Sequence, residues 1–363
     1  MPETTPGAPA GATRASVERR ATDAFAAADE TRSVGPFVSA KRRRRYYAIL
    51  IGLAVLAVLI TIGLLGWDNK QEFLTEKWWR VAKMRVTAVV VILVVTFCQA
   101  FGTVAFQTAT NNRIITPSII GFESMYVLVQ TSVVYFFGVT GLSGMSNIGT
   151  FVLQVSVMVL FAVLLYSWLL SGRFGNLHVM LLVGIVLGGG MGAISSFMQR
   201  MLDPNEFDIL SAKMFGNVSN ADTDNFIVVI PVCALVGLSI WLLAPRLNVI
   251  GLGADISANL GLNHKRQVML MLTLVAILMA MSTSLVGPLT FLGFLSATLA
   301  YSLVDSYDHR RILPVAWLVG YCMLAGAYFL LRHVLTLVDA VGIIIELIGG
   351  GVFLIVVLRK GRL

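Results

Sequence analysis

The residues in this sequence best placed to do chemistry are two glutamates, because an ionisable group in hydrocarbon is costly and tends to persist where it serves a site. Glu346 stands well inside an apolar run, and Glu123 lies near the start of another, where a helix N-terminus favours negative charge. Glu346 reads in two ways, as a carboxyl hydrogen-bonded to a neighbouring helix for packing or as a group on a translocation path. His178, His264, His309 and His333 are scattered singly over different segments, so no metal site is assigned. Cys98, Cys233 and Cys322 lack paired spacing and read as small core residues. The chain contains no G-x-x-x-x-G-K-S/T phosphate loop, no H-E-x-x-H and no G-x-S-x-G. It is therefore read as a non-enzyme with no cofactor, and any ATP hydrolysis must come from another subunit.

These groups are carried by elements that must lie in lipid. Of 363 residues 57% are hydrophobic and 13% charged, whereas a soluble domain is roughly half apolar and about a quarter charged. Apolar runs of about 20 residues, each long enough for a hydrocarbon core of about 30 Å, predict an all-α polytopic membrane protein. About ten spans are expected, near 46–66, 84–106, 117–138, 148–171, 177–200, 225–244, 267–287, 289–304, 312–333 and 341–358. Residues 46–363 form the transmembrane domain, and residues 1–45 are expected to be a disordered, basic cytoplasmic tail. The tail lacks the layout of a cleavable signal peptide, so the first span is expected to stay as an anchor.

The net charge of +8 sits in short patches between apolar runs, a pattern of membrane topology and not of nucleic-acid binding. With Lys41–Arg45 in the cytoplasm, Arg113, Arg173, Arg246, Lys265, Arg266, Arg310, Arg311, Arg359, Lys360 and Arg362 fall on the same side. Both termini are then cytoplasmic in a multi-pass protein of the cell membrane. The acidic stretch from Asp203 to Asp224 and the uncharged one from Val139 to Asn147 suit the other side, whereas Lys70, Lys77, Arg80 and Lys83 go against the rule. Trp67, Trp78 and Trp79 suit the headgroup interface. Gly184, Gly188 and Gly192 follow small-xxx-small spacing, with Gly189 and Gly190 between them; close packing and a gating hinge are both compatible with it.

The segment Phe106 to Gly121, with Gln107, Asn112, Arg113, Pro117 and Gly121, resembles the N-N-R-x-x-T-P-S signature of the FecCD/BtuC-type permeases of iron-chelate and cobalamin ABC importers. Leu252 to Gly261 resembles that family's L-G-x-x-x-A-x-x-L-G segment, Val286 to Phe294 its A-G-P-I-x-F-V-G-L, and Asp308 to Pro314 its D-H-R-x-L-L-P. Leu347-Ile348-Gly349 followed by Phe353 is similar to L-I-G-x-P-x-F. Three positions depart. Ala297 to Tyr301 replaces P-H-L-A-R, Tyr328 stands at the aspartate of A-D-x-x-A-R although Arg332 keeps the arginine, and only Arg85 survives of R-x-P-R. This drift resembles the divergent second member of paired permeases.

The resemblance implies a BtuC-like permease that moves ferric siderophore across the cytoplasmic membrane between two such subunits, a heterodimer before a homodimer. Cytoplasmic ATPase subunits and an extracytoplasmic siderophore-binding protein are the other partners. In that family the segment carrying Gly253, Asp255, Ser257 and Gly261 docks on the ATPase; an ordinary amphipathic cytoplasmic loop is the competing reading. Arg85 and Arg332 would meet carboxylates of the binding protein, or else snorkel as span anchors. The alternative to the whole scheme is an ion-coupled secondary transporter using Glu346.

Overall fold

The computed structural model describes residues 37, 39–67, 75–144, 148–171, 177–214, 218, 221–335 and 341–360. Thirteen α-helices and two short 3-10 turns make up the described elements: α1 (Ala40–Gly66), α2 (Glu76–Ala109), α3 (Phe122–Gly144), α4 (Ile148–Ser171), α5 (Leu177–Gln199), α6 (Pro204–Met214), α7 (Phe226–Leu242), α8 (Ala244–Ile250), α9 (Ala254–Asn259), α10 (His264–Val286), α11 (Leu292–Leu303), α12 (His309–His333) and α13 (Val341–Lys360). No strand occurs among the described residues. Each of the ten expected spans coincides with one of these helices, and α6, α8 and α9 are short connectors. Among the described residues seven helices are long and apolar enough to cross a membrane, while α11 and part of α13 are shorter apolar helices. Helix α3 bends where Gly138 leaves the helical region, with φ 67°.

Boundaries differ from expectation where capping decides them. Ser39 accepts from the Arg42 backbone N–H, so Lys41–Arg45 form the first turns of α1. Residues 1–36 of the expected tail lie outside the described residues, as do 145–147 of the expected outer loop and Arg362. Thr75 caps α2 through the Trp78 N–H, which makes the positively charged stretch after Glu76 a helical extension of the second span. Residues 68–74 are again outside the described residues.

The core is built on α2, α10 and α12, whose apolar windows are 78%, 67% and 61% buried against 11% for α1. Lipid tails are as apolar as leucine, so these helices associate by close packing and internal polar contacts. Glycines supply the closeness: a side chain at Gly237 would strike Phe97, one at Gly293 Thr103, one at Gly320 Ser296 and one at Gly349 Phe291. Gln99 of α2 donates to Ser282 of α10, and the Cys98 and Cys233 sulfurs lie 3.3 Å apart between α2 and α7.

The third span enters the membrane irregularly. After α2 the chain runs through Thr116 into a 3-10 turn, Pro117–Ile120, and Gly121 at φ 106° turns it into α3. Gly121 packs on Gly188, in the middle of α5; a Cβ on Gly121 would lie 3.2 Å from the Gly188 Cα. Non-helical backbone at membrane depth is tolerated only where protein or a polar cavity covers it, and Pro117, Ser118, Ile120 and Gly121 are all buried.

Candidate functional site

The signature residues are first a device for making that entry. Gln107 Nε2 donates to the Arg113 carbonyl at 2.8 Å, and Asn112 Oδ1 accepts from the Ile114 N–H at 2.9 Å. Asn111 takes the left-handed conformation, φ 50°, that asparagine tolerates better than most residues. The loop is thereby folded back on the end of α2, and Pro117, with no N–H to satisfy, starts the 3-10 turn. Arg113 lies over the Tyr301 ring, 4.7 Å from its centroid, so the tyrosine that replaces an arginine in the resembled pattern gives Arg113 a flat surface.

Helices α8 and α9 form one unit. Ser257, fully buried, lies with its Oγ 2.9 Å from the Val249 carbonyl and 2.6 Å from that of Gly253, and Gly253 and Gly261 take φ 97° and 81° at the two turns that bound α9. Asp255 is exposed. Leu252, Ile256 and Leu260, four residues apart, present three largely exposed apolar side chains. Such a stripe beside the basic Lys265 and Arg266 is a surface suited to a partner.

A cavity of about 440 Å³ opens next to this unit, lined by Asn111, Arg113, Asn248, Tyr301, Asp305 and His309 among others. Arg42 spans to Asp305 at 3.0 Å beside it. His309, buried, faces Asn248 Oδ1 with Nδ1 at 2.6 Å and Thr108 Oγ1 with Nε2 at 2.7 Å. These contacts bring the ends of α1, α2, α8 and α12 together with the α11–α12 connection, so Arg42, Arg113, Arg246, Arg310 and Arg311 share one end of the molecule.

The opposite end holds the two outer arginines. Arg85 donates to the carbonyls of Leu64, 3.2 Å, and Trp67, 2.6 Å, at the last turn of α1, a favourable place for a cation. Arg332 donates to the Tyr328 hydroxyl at 2.7 Å. The tyrosine thus supplies the acceptor that the aspartate of the resembled pattern would have offered. Glu123 and Glu346, far apart in sequence, meet at Thr290: the hydroxyl donates to Glu123 Oε2 at 2.5 Å and lies 3.5 Å from Glu346 Oε1. Among the described residues no group of three or more His, Cys, Asp and Glu could hold a metal ion.

The model of the FecCD transport family matches residues 42–359. The chain belongs to that family. Among FecCD relatives, the petrobactin import system permease protein FatC of Bacillus anthracis is 47% identical over 335 residues, covering 92% of this chain and 95% of its own. The petrobactin import system permease protein YclO of Bacillus subtilis (strain 168) is 34% identical, over 88% of this chain and 99% of its own. In fold, a solved structure described as an inward-facing conformation of a metal-chelate type ABC transporter superposes with a TM-score of 0.72 at 23% identity, covering 86% of this chain and 99% of that one. Within this FecCD chain the signature residues Gln107 to Gly121 form the entry to α3, and the segment Gly253 to Gly261 bounds the short helix α9. The joint of Asn248, His309 and Thr108, and the meeting of Glu123 with Glu346, were not foreseen; each depends on residues from helices distant in sequence.

Proposed function

We propose that the chain is the membrane permease subunit of an ATP-driven importer that carries a ferric siderophore into the cell. The observation that carries this reading is the 47% identity, along almost the whole of both chains, to a permease named for petrobactin import. Petrobactin or a chelate of similar chemistry is accordingly the cargo.

The exposed Leu252, Ile256 and Leu260 with Asp255 form the face that a cytoplasmic ATPase subunit grips, and Ser257 with the two positive-φ glycines keeps that face in shape. Arg332, at the outer end of α12, offers remaining guanidinium N–H groups to a carboxylate of the binding protein. Arg85, held by the α1 carbonyls, places a second cation at the same end. The basic residues gathered around Arg42, Arg113 and Arg310 support a cytoplasmic location for that end and for the N-terminus of α1. A second, related permease subunit completes the pathway, and the drift at Tyr301 and Tyr328 favours a heterodimer.

The test is uptake of radiolabelled iron, offered as petrobactin and as a panel of other siderophore chelates, by iron-starved cells with and without this chain, beside a strain whose ATPase partner is inactive. Loss of one chelate's uptake in both strains is expected; uptake of every chelate persisting in both would overturn the assignment. Replacing Ile256 by Asp is expected to abolish co-purification of the ATPase while leaving the thermal stability of the exposed site unchanged.

A further inference from the structure

If residues 253–261 take up the ATPase's movement, some contact must carry that movement into the membrane helices. The α8–α9 unit is short, and Ser257 binds α9 to the carbonyl of Val249, the neighbour of Asn248. Asn248 is the outlet. Its Nδ2 donates to Asp308 Oδ1 at 3.3 Å, and its Oδ1 accepts from the His309 backbone N–H at 3.0 Å and faces the ring Nδ1 at 2.6 Å. An amide oxygen only accepts, so Nδ1 carries a proton. On the far side of the ring Nε2 meets the Thr108 hydroxyl at 2.7 Å, in the last turn of α2. The Thr108 hydroxyl also lies 2.8 Å from the Val104 carbonyl. Its single proton goes to Nε2 when the ring is neutral and to the Val104 carbonyl when the ring is charged and Nε2 donates, so the contact exists in either state.

His309 and Thr108 are both buried in the wall of the cavity, and the ring is held by a contact on each side. The ring is therefore a rigid spacer between a cytoplasmic helix and α2, the most buried of the long apolar helices. We propose that Asn248, His309 and Thr108 are positioning residues that form the joint passing movement of the docking segment into α2. The proposal rests on the reading of residues 253–261 as the ATPase-docking segment. Packed contacts with discrete arrangements transmit displacement in this way, and demonstration requires a measured loss of coupling.

The experiment uses the whole transporter in proteoliposomes: this chain, its second permease subunit, the ATPase and the binding protein. The readout is the number of ATP molecules hydrolysed per ferric chelate imported. Thr108→Val keeps the shape, including the methyl that would meet a Cβ on Gly251, and removes only the hydroxyl. Asn248→Ala removes all three contacts on the other side. Each is expected to co-purify with the ATPase and to keep basal hydrolysis, while ATP consumed per chelate rises about fivefold or more, the lower range of coupling between sites. A purely structural role would lower the yield of assembled complex and leave that ratio unchanged. Should Asn248→Ala fail to assemble, Thr108→Val decides. A wild-type ratio in Thr108→Val, with Ile256→Asp still losing the ATPase, overturns the joint alone; Ile256→Asp retaining the ATPase overturns the docking segment and the joint with it.

Discussion

At the scale of the residue, departures from the family pattern become exchanges of partner. Arg332 has a tyrosine hydroxyl where an aspartate would stand, and Arg113 has an aromatic face. Among the described residues neither arginine has a carboxylate partner, and on the proposed reading Arg332 takes one from the binding protein. Reversing it to Glu is expected to weaken binding-protein affinity and uptake, measured by titration of the binding protein onto the reconstituted transporter; intact affinity and uptake would remove the docking role. Thr290 is the single hydroxyl between two carboxylates. Thr290→Val is expected to lower stability by about 1–3 kcal/mol, the cost of a buried acceptor losing its donor, read as thermal unfolding in detergent. Glu346→Gln, whose contact with that hydroxyl is long, is expected to leave uptake intact. Abolished uptake with normal ATPase stimulation would instead favour coupling to an ion. That Glu346 is an ionisable group inside an apolar run was legible in the sequence. Its partner was not, since residues 123, 290 and 346 belong to three elements with no shared pattern.

Elements show how far a spacing rule reaches. The glycines of α5 form one stripe in the sequence, yet two of them face the entry turn and three face open space. A side chain at Gly184 would strike Ile120 and one at Gly188 would meet Gly121, whereas nothing lies within 4 Å of Gly189, Gly190 or Gly192. Close packing is therefore the role of the first two. Gly184→Ala is expected to destabilise the chain by about 1–3 kcal/mol through overpacking, and Gly190→Ala to stabilise it by up to about 1 kcal/mol through helix propensity, compared by thermal unfolding of the two variants. The same turn explains why the third span is not one helix: a signature read as a family mark is the chemistry of a tight, buried entry, with Gln107 and Asn112 satisfying backbone groups that no helix satisfies.

Across the whole molecule, helix alternation separates two ends. Basic side chains collect at the end that holds α8 and α9, and α6 with Asp208 follows α5 at the other. A single cysteine at position 208 is expected to react with a membrane-impermeant maleimide in intact cells, and one at position 265 only after permeabilisation; the reverse labelling would invert the topology. The sequence by itself determined the class, the approximate limits of the apolar helices, and the family, because apolar length and the spacing of local motifs are properties of contiguous residues. Only the tertiary structure decided which helices form the core, which glycines are contacts, and that His309 joins α8 to α2, because those outcomes depend on side chains brought together from distant parts of the chain, 201 residues apart for Thr108 and His309. The apolar window of α1 is more hydrophobic than that of α2, yet α1 is largely exposed and α2 largely buried. In a bilayer the apolar surface of a helix is satisfied equally by lipid or by protein, so packing shape and polar partners, and not hydrophobicity, choose between them.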